Sequence, residues 1–166
     1  MAIQYETINI QFPKEIKRRE TSAWIKQIAT QYQKRVGEIV FVFCSDAEIL
    51  RINNQFLKHD YYTDILSFDY SENDTLSGDL FISLETVKSN AAQYETNYAE
   101  ELLRVMIHGI LHLCGFNDKT PEDEKCMRQK EDEALRLFPF TLHPSLSRHC
   151  ELRGTKQEAN QNTSGT

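Results

Sequence analysis

The sequence predicts an α+β fold, in which a small mixed four-stranded sheet packs with about five helices. Apolar and polar residues alternate mainly in the first half of the chain, whereas apolar residues recur at helical spacing mainly in the second half. The 166 residues are 40% hydrophobic and 27% charged, which is typical of a globular protein. A chain of this length can bury one core, so we expect a single domain over residues 1–153.

Four segments have the pattern of strands. Residues 3–12 alternate apolar and polar side chains until Pro13, which cannot donate to a strand ladder. Residues 38–44 (EIVFVFC) are almost wholly apolar, which indicates a strand buried on both faces. Residues 64–68 and 79–83 are two further short runs, separated by the connector SENDTLSG, which is rich in turn-forming residues.

Five segments have the pattern of helices, and capping residues mark where most of them begin. The predicted helices cover about residues 18–35, 46–57, 84–95, 101–114 and 121–137. Ser45, Ser83, Asn97 and Thr120 each offer a side-chain oxygen to the first free N–H groups of a helix. Gly115 ends the fourth helix, which we expect to be the central one.

The composition favours a cytoplasmic protein that does not enter a membrane. No apolar run approaches the roughly 20 residues of a membrane helix, and the N-terminus lacks the pattern of a secretory signal.

The four cysteines form no CxxC pair, so we expect neither a disulfide framework nor a cysteine zinc site. Cys44 and Cys126 are expected to be small buried hydrophobic residues. The tail 154–166 is nearly devoid of apolar residues and is predicted to be disordered.

The net charge of −6 gives no overall signature of a nucleic-acid-binding protein, but the charge is unevenly distributed. Residues 14–35 carry seven basic and two acidic side chains, a local charge of +5, which leaves −11 for the rest of the chain. A basic helix on an acidic body is either a docking face for phosphates or an ordinary solvated surface. The sequence does not decide between the two.

The segment HGILHLCGFND predicts a metal site. His108 and His112 are four residues apart on a predicted helix, so both imidazoles leave the same face one turn apart. Gly115 lets the chain reverse, and Asp118 follows closely enough to return to the same ion. Two imidazoles and one carboxylate can hold zinc and leave a fourth position open for catalysis. We therefore predict one zinc ion per chain, bound by His108, His112 and Asp118.

Other residues compete for parts of this site. Asn117, His143 and His149 are rival third ligands, although the spacing favours Asp118. Metalloproteases with the HExxH motif have a glutamate general base after the first histidine, and this chain has Gly109 there. A peptidase function is therefore disfavoured. Two histidines and one carboxylate also match the ligands of non-haem iron oxygenases, although no other feature of the sequence suggests an oxygenase.

The motif resembles the HGxLHLxGxDH signature of the YbeY family of metal-dependent endoribonucleases. The segment TDILSF at residues 63–68 is similar to TDVLSF of that family, and GDL at residues 78–80 is similar to its GDI. The resemblance covers roughly residues 35–137. It implies a zinc-hydrolase-like α+β fold and an endoribonuclease, with catalytic His108 and His112, that acts on single-stranded RNA in small-subunit ribosomal RNA processing and ribosome quality control. The implied partners are ribosomal RNA and the ribosome, without a small-molecule cofactor or a membrane.

Two positions depart from the family pattern. Asp118 stands where the family has a third histidine, which makes the site less positive and should leave the metal a weaker Lewis acid. Leu57 stands where the family has an arginine that resembles a phosphate-binding group, and the neighbouring Lys58 and His59 are the nearest substitutes. The loss of this arginine supports an alternative function, a non-catalytic ribosome-assembly factor with a structural metal.

The general base is not identified by the sequence. Asp64 and Asp79 lie next to the matched segments and are candidates. Both also stand at the starts of predicted strands, where a short acidic side chain commonly caps the backbone.

Overall fold

The computed structural model describes residues 2–57 and 64–139, without the side chains of Phe56 and Leu57. This part of the chain has five α-helices and one four-stranded mixed sheet, which confirms the predicted α+β class. The predicted tail 154–166, and residues 140–153 of the predicted domain, lie outside the described residues.

The elements follow one another in the predicted order. They are β1 (Ala2–Thr7), α1 (Arg18–Gln31), β2 (Arg35–Cys44), α2 (Asp46–Ile52), a π-helical segment (Asn53–Leu57), β3 (Ile65–Asp69), β4 (Thr75–Ser83), α3 (Leu84–Gln93), α4 (Tyr98–Leu113) and α5 (Pro121–Arg136). All four predicted caps accept a backbone hydrogen bond in the first turn of their helix: Ser45 from Glu48, Ser83 from Thr86, Asn97 from Ala99 and Thr120 from Asp123.

Several predicted boundaries were wrong, and residues with positive φ explain two of them. β1 ends at Thr7 instead of residue 12, because Asn9 turns the chain with a φ of 54°. The first helix ends at Gln31 instead of residue 35, since Gln33 has a φ of 61° and the following residues join β2. β4 begins four residues early, at Thr75, so the connector before it is a short turn. Single residues in the left-handed region are difficult to identify from hydrophobic periodicity alone.

The sheet has the strand order β1-β2-β4-β3. β1, β2 and β4 are parallel, and β3 pairs antiparallel with β4 at the edge of the sheet. Side chains from alternate positions of β2, Ile39, Phe41 and Phe43, join the main core, whereas Cys44 joins a smaller cluster with Ile49 of α2. Helices therefore cover both faces of the sheet.

Helix α4 is the centre of the molecule, as predicted. It contacts β3, β4, α1, α3 and α5, and almost every residue from Glu100 to Leu113 is buried. Only the face that carries His108 and His112 is partly accessible. The helix is therefore a rigid support for any group that these two side chains hold.

The two cysteines that were expected to be buried differ in exposure. Cys44 is buried as expected, but Cys126 is exposed, because it lies one position beside the buried stripe of α5 that includes Met127 and Glu131.

No helix in the described part of the chain has both the length and the apolar character needed to span a bilayer.

Candidate metal centre

The last two turns of α4 place two imidazoles side by side. The Nε2 atoms of His108 and His112 lie 2.9 Å apart, and the ring centroids are 4.5 Å apart. The side chains are 22% and 27% exposed, so solvent reaches both rings. The i, i+4 spacing thus brings two nitrogen donors to one point, as the sequence predicted.

A tight turn after α4 brings Asp118 to the same point. Gly115 has a φ of 106°, a backbone conformation that residues other than glycine rarely adopt. The Phe116 N–H donates to the Leu111 carbonyl over 3.1 Å, which closes the end of the helix. Asp118 Oδ2 lies 3.4 Å from His108 Nε2 and 3.6 Å from the corresponding nitrogen of His112.

These three atoms fit a metal ion. The triangle formed by the two nitrogens and the carboxylate oxygen has a circumradius of about 1.9 Å, so a point about 2.0–2.1 Å from each atom, the zinc–ligand range, lies just outside its plane. All three side chains also line one cavity of about 440 Å³, which leaves room beside such a point. Within the described residues, these three side chains form the one group of His, Cys, Asp or Glu that could hold an ion.

Of the three rival third ligands, Asn117 alone lies within the described residues. Asn117 is exposed in the turn. His143 and His149 lie outside the described residues, as do Lys58 and His59, and the side chain of Leu57 is not described. The structure therefore brings together the predicted triad, while the effect of the missing arginine stays a prediction.

A buried network behind His108 was missed by the sequence reasoning. Glu131 Oε2 lies 2.6 Å from His108 Nδ1, and Glu131 Oε1 accepts a hydrogen bond of 2.9 Å from Arg104. Arg104 also donates to Asp132 over 2.5 Å. The side chains of Arg104 and Glu131 are only 6% and 8% exposed. A carboxylate on Nδ1 fixes the proton there, so the lone pair of Nε2 is directed at the triad.

The two histidines have different electrostatic surroundings. Burial alone would lower the pKa of His108, but the hydrogen bond and charge of Glu131 outweigh it and raise the pKa above its usual value. Burial and the neighbouring His108 lower the pKa of His112. His112 is therefore the more readily available neutral donor, whereas His108 is held in place by its carboxylate partner.

Gly109 lacks a side chain because α4 packs closely on the sheet. A Cβ there would lie 2.7 Å from Ile65 Cδ1 and 3.2 Å from Leu80 Cδ1. Position 109 thus faces β3 and β4 rather than the triad. Close packing at position 109 therefore leaves no room for the glutamate of the HExxH motif. Without that glutamate, the chain lacks the general base of these metalloproteases.

Of the two candidate bases, Asp64 lies at the site and Asp79 does not. Two cavities, of about 280 Å³ and 440 Å³, meet at the triad, and Asp64 lines both of them together with His108 and Asp118. Burial raises the pKa of Asp64, although the charge of His108 opposes this effect. Asp79 lies in β4 and lines neither of these cavities.

Comparison with known proteins shows the family of this chain. The family model described as Endoribonuclease YbeY matches residues 3–138. A protein of Bacteroides fragilis named Endoribonuclease YbeY is 58% identical over 137 residues, which cover 82% of this chain and 98% of that protein. A Porphyromonas gingivalis protein of the same name is 52% identical over 132 residues, covering 80% of this chain and 87% of the relative.

The fold is also similar to a solved structure. The solution structure of a Thermotoga maritima protein matches with a TM-score of 0.66 at 24% identity, covering 89% of this chain and 95% of that protein. This likeness shows the fold, while the family model and the relatives show the ancestry. The chain belongs to the YbeY family of endoribonucleases.

Proposed function

We propose that this protein is a zinc-dependent endoribonuclease that cuts single-stranded segments of ribosomal RNA. The observation that carries the proposal is the triad of His108, His112 and Asp118, whose donor atoms surround one point at zinc-ligand distances and open onto two cavities. Its relatives are named endoribonucleases, which supplies the reaction class.

In this proposal the side chains of the triad hold the metal, and their neighbours control protons. Glu131 keeps the proton of His108 on Nδ1, so Nε2 stays free to bind. Asp64 is the general base, because it is the carboxylate beside the triad in both cavities and burial raises its pKa. A bound zinc ion supplies Lewis acidity to the phosphodiester and makes water a better nucleophile at neutral pH.

The proposed biological setting is the maturation of small-subunit ribosomal RNA and ribosome quality control in the cytoplasm. It rests on family membership and on what the resemblance of the motifs to that family implies. The basic segment 14–35 is a candidate docking face, since Arg18, Arg19 and Lys26 are exposed on α1. We expect charge reversal at Arg18 and Arg19 to weaken association with ribosomal subunits if this face contacts RNA.

The first test is the metal content of untagged protein, measured by elemental analysis for the wild type and Asp118→Ala. We expect about one zinc per wild-type chain and a large loss of zinc in the variant. If Asp118→Ala retains zinc, the third ligand is another residue, and His143 and His149 are the next candidates. Iron in place of zinc would contradict the proposed metal.

The second test is cleavage of end-labelled RNA. Single-stranded RNA should be cut internally, and duplex RNA of the same sequence should be cut much more slowly. A chelator should abolish cleavage, and added zinc should restore it. His112→Ala, purified in the same way, controls for contaminating nuclease. A zinc-containing protein that binds ribosomal subunits but cuts no RNA would support the alternative function, a non-catalytic assembly factor.

A further inference from the structure

A groove runs from the metal centre between α3 and α5. Its floor is α4, which contributes Arg104, Val105 and His108. One wall carries Asn90 and Tyr94 at the end of α3, and the other carries Glu124 and Arg128 of α5. The volume of this α3–α5 groove is about 280 Å³, near the lower limit of the roughly 300–1,000 Å³ typical of small-ligand pockets. Because His108 and Asp118 line its inner end, any occupant would lie beside the triad.

Tyr94 presents an aromatic ring to this groove. Its side chain is 56% exposed, and within the part of the chain that the structure describes it makes no hydrogen bond or ring contact. Asn90 lies one helical turn earlier on the same face, and its amide also has no partner among the described residues. An exposed tyrosine beside a free amide offers a stacking surface and hydrogen-bonding groups to a planar, polar ligand.

Arg128 is the available cation of the groove, whereas Arg104 is already neutralised. Arg104 is buried between Glu131 and Asp132. Arg128 is exposed, and its guanidinium forms no ion pair or hydrogen bond with any described residue. A free guanidinium at the mouth of a groove is suited to bind a phosphate.

The remaining walls are acidic, which restricts where a phosphate can lie. Asp64, Glu101 and Glu124 line the groove together with the triad carboxylate. These groups repel a phosphate inside the groove but accept hydrogen bonds from the amino and imino groups of a base. The charges thus favour a nucleotide whose base enters the groove and whose phosphate stays at Arg128.

We propose that the α3–α5 groove is a nucleotide subsite for one residue of a single RNA strand, next to the phosphodiester that is cut at the metal centre. Tyr94 stacks on the base, and Arg128 pairs with the phosphate. This proposal rests on the proposed function, because it assumes that RNA is the substrate of the triad. It adds a base-binding residue and a phosphate-binding residue outside the triad.

The test compares RNAs with and without bases. Fluorescence anisotropy measures binding of a short single-stranded oligouridylate, and of an abasic oligoribonucleotide of equal length, to the protein as purified. A denaturing gel confirms that each RNA stays intact. We expect Tyr94→Ala to weaken oligouridylate binding about tenfold and to leave abasic binding unchanged, whereas Tyr94→Phe binds like the wild type.

Substitution of Arg128 is expected to change RNA binding in a different way from substitution of Tyr94. Arg128→Ala should weaken binding of both RNAs and reduce the slope of log affinity against log salt by about 0.7, the value for one phosphate contact on a single strand. The matched controls are Tyr70→Ala, an equally exposed tyrosine at the end of β3, and Arg136→Ala, an exposed arginine of α5. Neither lines the groove, and both should bind like the wild type.

The outcomes separate this proposal from the proposed function. If Tyr94→Ala weakens binding of both RNAs equally, or of neither, stacking at Tyr94 is excluded even when the wild type cuts RNA. Unchanged salt dependence in Arg128→Ala excludes the phosphate contact in the same way. If the wild type neither binds nor cuts RNA, the proposed function fails, and the subsite fails with it.

Discussion

The two sides of the metal centre are built differently. On the α5 side, His108 is supported by Glu131, which is itself held by the buried Arg104. On the other side, Asp118 lies on the turn between α4 and α5, and its side chain is 41% exposed. One candidate ligand is therefore fixed by a buried charge network, whereas the other is placed by local backbone geometry. We therefore expect changes on the two sides to affect stability and metal affinity differently.

The largest effect on stability is expected at Arg104. Arg104→Leu leaves the carboxylates of Glu131 and Asp132 without their buried cation, which should lower the free energy of unfolding by about 3–5 kcal/mol. Urea denaturation in the presence of a chelator measures this effect without a contribution from metal. Arg136→Leu, an exposed change on α5, should cost less than about 0.5 kcal/mol. Equal effects of the two substitutions would show that the buried network does not stabilise the fold.

The next largest effect is expected on metal affinity. Glu131→Gln keeps the size of the side chain but removes the charge behind His108, and zinc affinity should fall about 10- to 100-fold. Competition with a chromogenic chelator measures the change. Asp132→Asn is the matched control, because it removes a charge from the same network without touching His108. A similar loss of affinity in both variants would indicate a general electrostatic effect instead of support for the ligand.

On the turn side, Gly115→Ala should have a smaller effect on stability. A Cβ at this position meets no atom within 4 Å, so the cost comes only from the φ of 106° and should be about 1–2 kcal/mol. Asn117→Ala, in the same exposed turn, is the control and should change stability by less than about 0.5 kcal/mol. Thermal unfolding of metal-free protein measures both. No destabilisation in Gly115→Ala would mean that the turn tolerates another backbone conformation.

The pair of His108 and Glu131 should also make the stability of the metal-free protein depend on pH. The folded-state pKa of His108 is raised above its usual value of 6.5 by Glu131, against the effect of burial. The stabilisation is therefore complete below pH 6.5 and is lost as the pH rises through the raised pKa. Urea midpoints across this range should show the decline in the wild type and a flatter profile in Glu131→Gln. A profile that Glu131→Gln leaves unchanged would assign the pH dependence to other groups.

The smallest effect on the metal-free fold is expected at Asp118. Asp118→Asn removes an exposed charge on a turn and should change the free energy of unfolding by less than about 0.5 kcal/mol. Zinc should raise the melting temperature of the wild type clearly and that of the variant little, because only the wild type binds the ion tightly. Calorimetry with and without zinc measures both quantities. Equal stabilisation of the two proteins by zinc would exclude Asp118 as a ligand.

The local features of this protein could be predicted from the sequence. The spacing of His108 and His112 fixes their shared face, because four residues are about one helical turn. Gly115 and the cap at Thr120 determine the reversal that returns Asp118, since both act through the adjacent backbone. Within the described residues, the order and type of the α-helices and strands followed from the same short-range patterns.

The distant residues that complete the site could be identified only from the packing of the helices and strands. Glu131 is 23 residues from His108 and looks like one more acidic residue of a charged helix, until the packing of α5 on α4 places it on Nδ1. Asp64 resembles a strand cap, and it reaches the triad because β3 pairs at the edge beside β4. These contacts depend on how the elements pack, and side-chain packing leaves no short periodic signal in the sequence.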